Sequence, residues 1–190
     1  CFDMESNSFV SFTNKDCKFS YRQSIFKDKD SLIIVKVKFK LTKDFLPNLE
    51  YEDLNFLKAE GVSPFIIRKH ILKIRKAKIS DPKVHPNVGS FFKNPILDTK
   101  KFERLHSRFE DMPYYEINHN LIKVPAAWLI EMCGFKKTKF NNVGVHKNQS
   151  LVIINLGNAK GIDIYSFSQR IKESVYKKFD ILLEEEVTVI

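Results

Sequence analysis

Residues 87–95 read NVGSFFKNP: a lone serine, Ser90, follows a glycine and runs into two phenylalanines, a lysine and an asparagine. Such a stretch suits either a tight turn pinned by aromatic side chains or a hydroxyl held rigidly beside a ligand. It ends a longer polar loop that concentrates Lys78, Asn87, Ser90 and Asn94. A loop that polar needs partners for its backbone, and long irregular loops in compact domains usually carry function. Four further stretches hold more chemistry than packing requires. SYRQSIFK (20–27) sets Tyr21 and Arg22 ahead of an apolar pair, which on spacing alone is a surface turn. Tyr51 sits in the polar connection NLEYEDLN (48–55). VGVHKNQSLVIIN (143–155) puts His146 and Gln149 just before an apolar run, where a lone histidine is more often a hydrogen-bonded structural residue than a catalyst. EEEVTVI (184–190) carries Glu186 into a strand with Glu184 and Thr188 on the same face, which is either a solvated acidic run or an acid entering a site.

Other chemistries are excluded or left unsupported. There is no Gly-x-Gly-x-x-Gly, no phosphate-cradling Walker loop and no His-Glu-x-x-His. With six glycines in 190 residues the chain holds no dinucleotide-cradling loop. The three cysteines, Cys1, Cys17 and Cys133, are odd in number, far apart and without histidine at ligand spacing, so neither a disulfide framework nor a metal site is expected. Cys133, inside WLIEMCGF, reads as a small core residue. The formal net charge of +9 invites a nucleic-acid or membrane reading. However, much of the charge is lysine alternating with apolar residues, and the one dense run, RKHILKIRKAK (68–78), lies on a helix. An anionic ligand is the better inference. No apolar run reaches the roughly 18 residues of a membrane span, and no signal-peptide pattern opens the chain.

The elements that must position these residues are mixed. CFDMESNSFVSF reads as a short hairpin turning at Ser6-Asn7-Ser8, and LIIVKVKFKL (32–41) as a strand with one buried face. Ser63 caps and Pro64 opens a helix to about Ala77. A loop from Ile79 to Pro95 leads into a strand at SFF. Asp98-Thr99 caps a helix to about Phe109, Pro125 starts another that Gly134 ends, and 162–179 is an amphipathic helix. LVIIN (151–155) and ILLEEEVTVI (181–190) read as strands. Strands and helices intersperse without a regular alternating period, which makes the fold class α+β. A domain boundary falls near 60–80.

Taken in order, YRxSIFK, LxYxDL, the RxxK and DPKV pair, GSFFKNP, the KxPAAWLIE-C-G segment, VHxxQxLVxIN followed by NAK, and a closing LExEV resemble the C-terminal half of UDP-N-acetylenolpyruvoylglucosamine reductase, the MurB family of bacterial peptidoglycan synthesis. The match runs from about Cys17 to the last residue, and the tyrosine-bearing LEYEDL resembles the subtype that closes a tyrosine loop over the substrate. The resemblance implies an FAD enzyme: NADPH reduces the flavin, which delivers hydride to the enolpyruvyl double bond of UDP-N-acetylglucosamine enolpyruvate and yields UDP-N-acetylmuramate. It implies Arg22, Ser90 and Glu186 as catalytic residues. Hydride addition generates an enolate, which needs a fixed cation near the carboxylate, matched by Arg22, and an acid for the adjacent carbon, matched by Ser90. Tyr51, Lys78, Asn94 and Gln149 match substrate-binding positions, and Ile34 the strand that passes the flavin ring.

The resemblance also implies a division into the tail of a flavin-binding domain (1–66), a substrate-binding domain (67–180) and a closing strand (181–190) bearing Glu186. The glycine-rich flavin-phosphate region is expected to lie outside this chain, which by itself should bind FAD poorly and turn over nothing. A cytoplasmic monomer that binds a UDP-sugar, without nucleic-acid or membrane partner, follows as the expectation, in cell-wall biogenesis with its links to cell shape and division. The sequence departs from the family pattern at Glu185 and Thr188, where proline and arginine are common, and at Lys147 and Asn148. The rival reading is a basic nucleic-acid-binding module, for which the 68–78 helix is the motive and steep salt dependence the signature.

Overall fold

The computed structural model describes residues 1–50, 52–59, 62–78 and 81–189. Two compact units divide the chain, Cys1–Pro47 and Asn48–Ile190.

In the first unit, apolar residues at both ends of CFDMESNSF pair across a turn. Strand β1 (Phe2–Asp3) lies between β2 (Ser8–Phe9) and β3 (Leu32–Ile33), with Phe2 opposite both Phe9 and Ile33. Phe2 and Phe9 meet edge to face at 5.3 Å, and Phe12 and Phe26 do so at 5.6 Å. Helix α1 (Ile25–Asp28) is a single turn, and Cys17 is this unit's one buried apolar side chain. The expected strand over 32–41 stops at Ile33. Residues 34–41 join no ladder among the described residues, and Val35, Val37 and Phe39 stand exposed. Alternation gives a strand two faces, but only backbone bonds to a neighbour make it a strand.

The second unit begins with a 3-10 helix (Glu52–Ala59) where the sequence pattern suggested a loop. Its Leu54 and Leu57, with Leu49, pack on Ile66, Ile67 and Ile74 of helix α2 (Pro64–Lys78). The Ser63 hydroxyl accepts from the Ile66 N–H at 3.3 Å, as an N-cap should. Two antiparallel sheets and three helices enclose the main core. One sheet has the order β4 (Asn87–Ser90), β10 (Val152–Asn155), β9 (Val143–Val145), β8 (Lys139–Phe140); the other has β5 (Ile96–Asp98), β7 (Leu121–Lys123), β6 (Tyr115–Asn118). The class is α+β, with helices α3 (Thr99–His106), α4 (Ala126–Met132) and α5 (Gly161–Phe179).

Helix α3 is capped by Asp98, which accepts from the Lys101 N–H at 2.8 Å; it closes about a turn earlier than its sequence suggests. Helix α4 ends in a Schellman motif: Gly134, at φ 82°, donates to the Glu131 carbonyl, and Phe135 donates back to Ile130. Phe167, Ile171, Val175 and Phe179 of α5 are all buried, with Leu129 and Ile130 of α4 and Ile153 of β10, in one cluster. The expected closing strand is reduced to a single antiparallel bridge, Glu185 to Phe92, after the buried Ile181 and Leu183.

Candidate active site

The glycine before Ser90 has a conformational reason. Between β4 and β10, Ser90 faces Val152 and Asn87 faces Ile154, so two residues of β4 oppose one of β10 in a bulge. Gly89 occupies it at φ 78°, a left-handed value that L side chains adopt only with strain, and nothing lies within 4 Å of where a Cβ would be. Backbone freedom, not space, demands the glycine. The Asn87 side chain secures the bulge, accepting from the Gly89 N–H at 3.0 Å and donating to the His85 carbonyl at 2.7 Å. The two phenylalanines that follow are 4% and 1% exposed and meet edge to face. Ser90 is thus held between a bulge and a buried aromatic pair. Its half-buried hydroxyl has no hydrogen-bond partner among the described residues.

Backbone pairing gathers the other candidates of this unit around it. The Phe91 N–H donates to the Leu151 carbonyl at 2.8 Å, which sets the turn bearing Gln149 beside Ser90. Gln149 closes that turn: its carbonyl accepts from Val152 and its side chain from the Leu151 N–H. On the other side, Glu186 donates its N–H to the Phe91 carbonyl at 2.8 Å, and Lys93 donates to the Glu184 carbonyl at 2.9 Å. Leu151, at the end of the Gln149 turn, and Glu186 therefore bond the two backbone groups of Phe91, the residue after Ser90. Lys78, at the end of α2, pairs with Asp53 of the 3-10 helix, and the Asn148 side chain reaches from the Gln149 turn to the neighbouring Ala77 carbonyl at 2.8 Å. The Asn94 side chain caps α4, accepting from the Ala126 N–H at 2.9 Å; an asparagine singled out for ligand binding thus has a structural bond as well.

The remaining candidates lie elsewhere. Arg22 and Ile34 belong to the first unit. Ser20 and Gln23 exchange both backbone bonds, so Tyr21 and Arg22 form a two-residue loop with Arg22 at φ 55° and its guanidinium 5.4 Å from the Tyr21 ring centre. Ile34 is exposed just past β3. Tyr51 lies outside the described residues. His146 is buried, and its Nδ1 accepts from the Asn148 N–H at 3.3 Å; burial, with the His85 and Lys147 charges adding to it, holds its pKa below the ordinary value. A neutral, bonded ring of this kind is structural. Burial likewise pushes the Cys133 thiol up, against the opposing Lys178 charge, which is the reverse of a nucleophile's setting. A largely apolar cleft of about 810 Å³ includes Phe91 and Val187, the chain neighbours of Ser90 and Glu186, together with Val88, Ile153 and Tyr165. Among the described residues no cluster of side chains could hold a metal ion, and no helix is long and apolar enough to cross a membrane. Sequence patterns did not single out Lys93, Gln169 or Lys172, which contact Glu184 and Glu185, because no spacing links groups so far apart in the chain.

Residues 81–190 match the family model for the C-terminal domain of UDP-N-acetylenolpyruvoylglucosamine reductase. The chain belongs to this family. Over nearly its whole length it is similar to proteins of that name: 43% identical to one from Flavobacterium johnsoniae (99% of this chain, 58% of the relative), 39% to one from Neisseria gonorrhoeae (98% and 56%) and 38% to one from Escherichia coli O157:H7 (100% and 56%). The chain spans little more than half the length of these relatives. Membership in a reductase family raises the question of a redox cofactor. The described residues offer an exposed apolar edge at Ile33, Ile34 and Val35 that a flat ring could cover, but no glycine-rich cradle for a pyrophosphate.

Proposed function

We propose that this chain is the substrate-handling part of a flavin-dependent UDP-N-acetylmuramate dehydrogenase, which with NADPH reduces UDP-N-acetylglucosamine enolpyruvate in the bacterial cytoplasm for peptidoglycan synthesis. One observation carries the reading: a half-buried Ser90 hydroxyl, without a hydrogen-bond partner among the described residues, one residue from Phe91, whose backbone bonds both Glu186 and Leu151 at the end of the Gln149 turn. A flavin bound beside Ile34 and first reduced by NADPH would supply the hydride that adds to the vinyl methylene carbon. The chain's own residues handle charge and proton. Arg22 holds the substrate carboxylate as negative charge spreads onto it, and Ser90 Oγ gives its proton to the carbon bearing the ether oxygen. Serine is a weak acid in water; fixation at the reacting carbon and exclusion of water by the Phe91–Phe92 pair make its use reasonable. Glu186 assists the proton's movement. Lys78 contributes a point charge to the diphosphate and Tyr51 an aromatic face to the nucleotide, while Asn94 and Gln149 orient the sugar. In domain terms, 1–66 completes the flavin domain, 67–180 is the substrate domain and 181–190 the closing segment. The 190-residue chain alone binds FAD poorly and is inactive.

Calorimetric titration of the chain with UDP-N-acetylglucosamine enolpyruvate, against a duplex oligonucleotide, tests this. Saturable binding of the sugar nucleotide, weakened by Lys78→Ala and Gln149→Ala, is expected. Salt-sensitive DNA binding with no response to the sugar nucleotide would refute the assignment.

A further inference from the structure

The segment that carries Glu186 is not a regular strand, so something other than a ladder must orient it. Ile181 and Leu183, 3% and 0% exposed, root it in the core. Two backbone bonds, which together make the Glu185–Phe92 bridge, then lay it beside Phe91–Lys93. The side chain of Glu185 is held from the opposite direction by α5. Lys172 Nζ donates to both of its carboxylate oxygens, at 2.8 and 3.1 Å, and Gln169 Nε2 donates to the first at 3.1 Å. Gln169 and Lys172 are three residues apart and share a helix face. They flank Ser168 and Ile171, both fully buried, so packing fixes where their side chains start. The Lys172 and Glu185 side chains are only 17% and 22% exposed. This contrasts with the pair between Lys93 and Glu184, whose carboxylate is 72% exposed and whose hold on the segment is weak.

We infer that Lys172 and Gln169 are positioning residues for Glu186, acting through Glu185: by drawing one side chain of the closing segment onto α5 they set the side from which the next carboxylate enters the site. Glu185 is the bridge residue directly before the chain bends at Glu186 and Val187, so a segment pinned at Glu185 has a fixed point from which that bend starts. The inference rests on the reading of Glu186 as a catalytic group. The state of Glu185 agrees with it. Burial is the largest single influence and pushes the carboxyl up, but the Lys172 hydrogen bond, the residue's own N–H, Gln169 and the Lys172 charge together bring it below its ordinary value. Without Lys172 a half-buried carboxylate would be left to find water, and turning outward would carry the Glu186 backbone with it.

The test uses the full-length flavin-loaded enzyme with Lys172→Met, Lys172→Arg and Glu186→Gln, singly and with Lys172→Met added to Glu186→Gln. Displacing a catalytic group by about 1 Å costs on the order of a hundredfold. Lys172→Met should therefore lower kcat by roughly 10- to 100-fold while KM for the sugar nucleotide changes little, and Lys172→Arg should restore most of the rate. In the Glu186→Gln background, Lys172→Met should cost less than about twofold more, because a positioning group has nothing left to position. Should Lys172→Met fail to fold, Gln169→Leu provides the same comparison with a smaller expected loss. If Glu186→Gln lowers kcat and Lys172→Met does not, or if their losses multiply, the positioning role is wrong and the catalytic reading stands. If Glu186→Gln leaves kcat unchanged, the catalytic reading of Glu186 falls and this inference falls with it.

Discussion

Asn94 offers a way to separate a residue's structural bond from its proposed ligand contact. Its side-chain oxygen accepts from the Ala126 N–H at 2.9 Å. Ala126 is the first residue of α4 and is 0% exposed. The N–H is one of the helix's orphan donors, and the residue before it is Pro125, whose side chain cannot cap. Losing a helix cap costs about 1 kcal/mol, and leaving a buried donor unsatisfied costs about 1–3 kcal/mol. Since no water reaches a fully covered residue easily, Asn94→Ala should cost about 2 kcal/mol. Asn94→Asp keeps an acceptor at the same place and adds a charge suited to a helix N-terminus, so its stability should stay within about 0.5 kcal/mol of the parent. It loses the amide donor, and if that donor serves the sugar nucleotide the variant should bind it more weakly while remaining folded. Urea unfolding of the three proteins, with calorimetry on the two that stay folded, measures both effects. The reasoning is refuted if Asn94→Ala unfolds at the parent's urea midpoint, or if Asn94→Asp is as unstable as Asn94→Ala.

Two further outcomes follow from positions outside the proposed chemistry. A Cβ on Gly144 of β9 would stand 2.8 Å from the Thr138 carbonyl oxygen, which is the acceptor for the Val145 N–H. Gly144→Ala should therefore cost about 1–3 kcal/mol in urea unfolding, while Gly157→Ala, whose nearest neighbour would be at 3.9 Å, should cost much less. The depressed His146 pKa gives a signed pH effect. The unfolded chain takes up this proton more readily than the folded one, so the contribution is complete above the ordinary value of 6.5 and is lost as the pH falls from there through the lower folded value. Replacing His146 with glutamine should flatten the stability curve on the acid side of 6.5; an unchanged slope would show that the ring does not differ between the two states.

What could be read from the sequence and what could not divides along the range of the interactions involved. Helices α2 and α4 were legible because their signals are local: Ser63 meets the Ile66 N–H three residues on, and Gly134 closes a Schellman motif within six residues. The buried face of α5 followed from periodicity alone. The segment 34–41 alternates as well as any strand in the chain and is not one, because its status depends on a partner that no local pattern contains. Strands β5 and β7 had the opposite fate: three residues each, too short for a period, they are defined wholly by pairing Ile96–Asp98 with Leu121–Lys123. The candidate site shows both sides of this. Ser90, Gln149 and Glu186 were found as residue types in recurring motifs, yet what brings them together is three backbone bonds spanning 60 to 95 residues. The bonds that hold Glu185 to α5 leave no trace in spacing at all. A motif can say which groups a site needs; only the long-range pairing says what keeps them in register, and in this chain that pairing runs through a bulge at Gly89 and a single bridge at Glu185. Those two irregularities, rather than the regular elements around them, are where substitutions should separate loss of geometry from loss of fold.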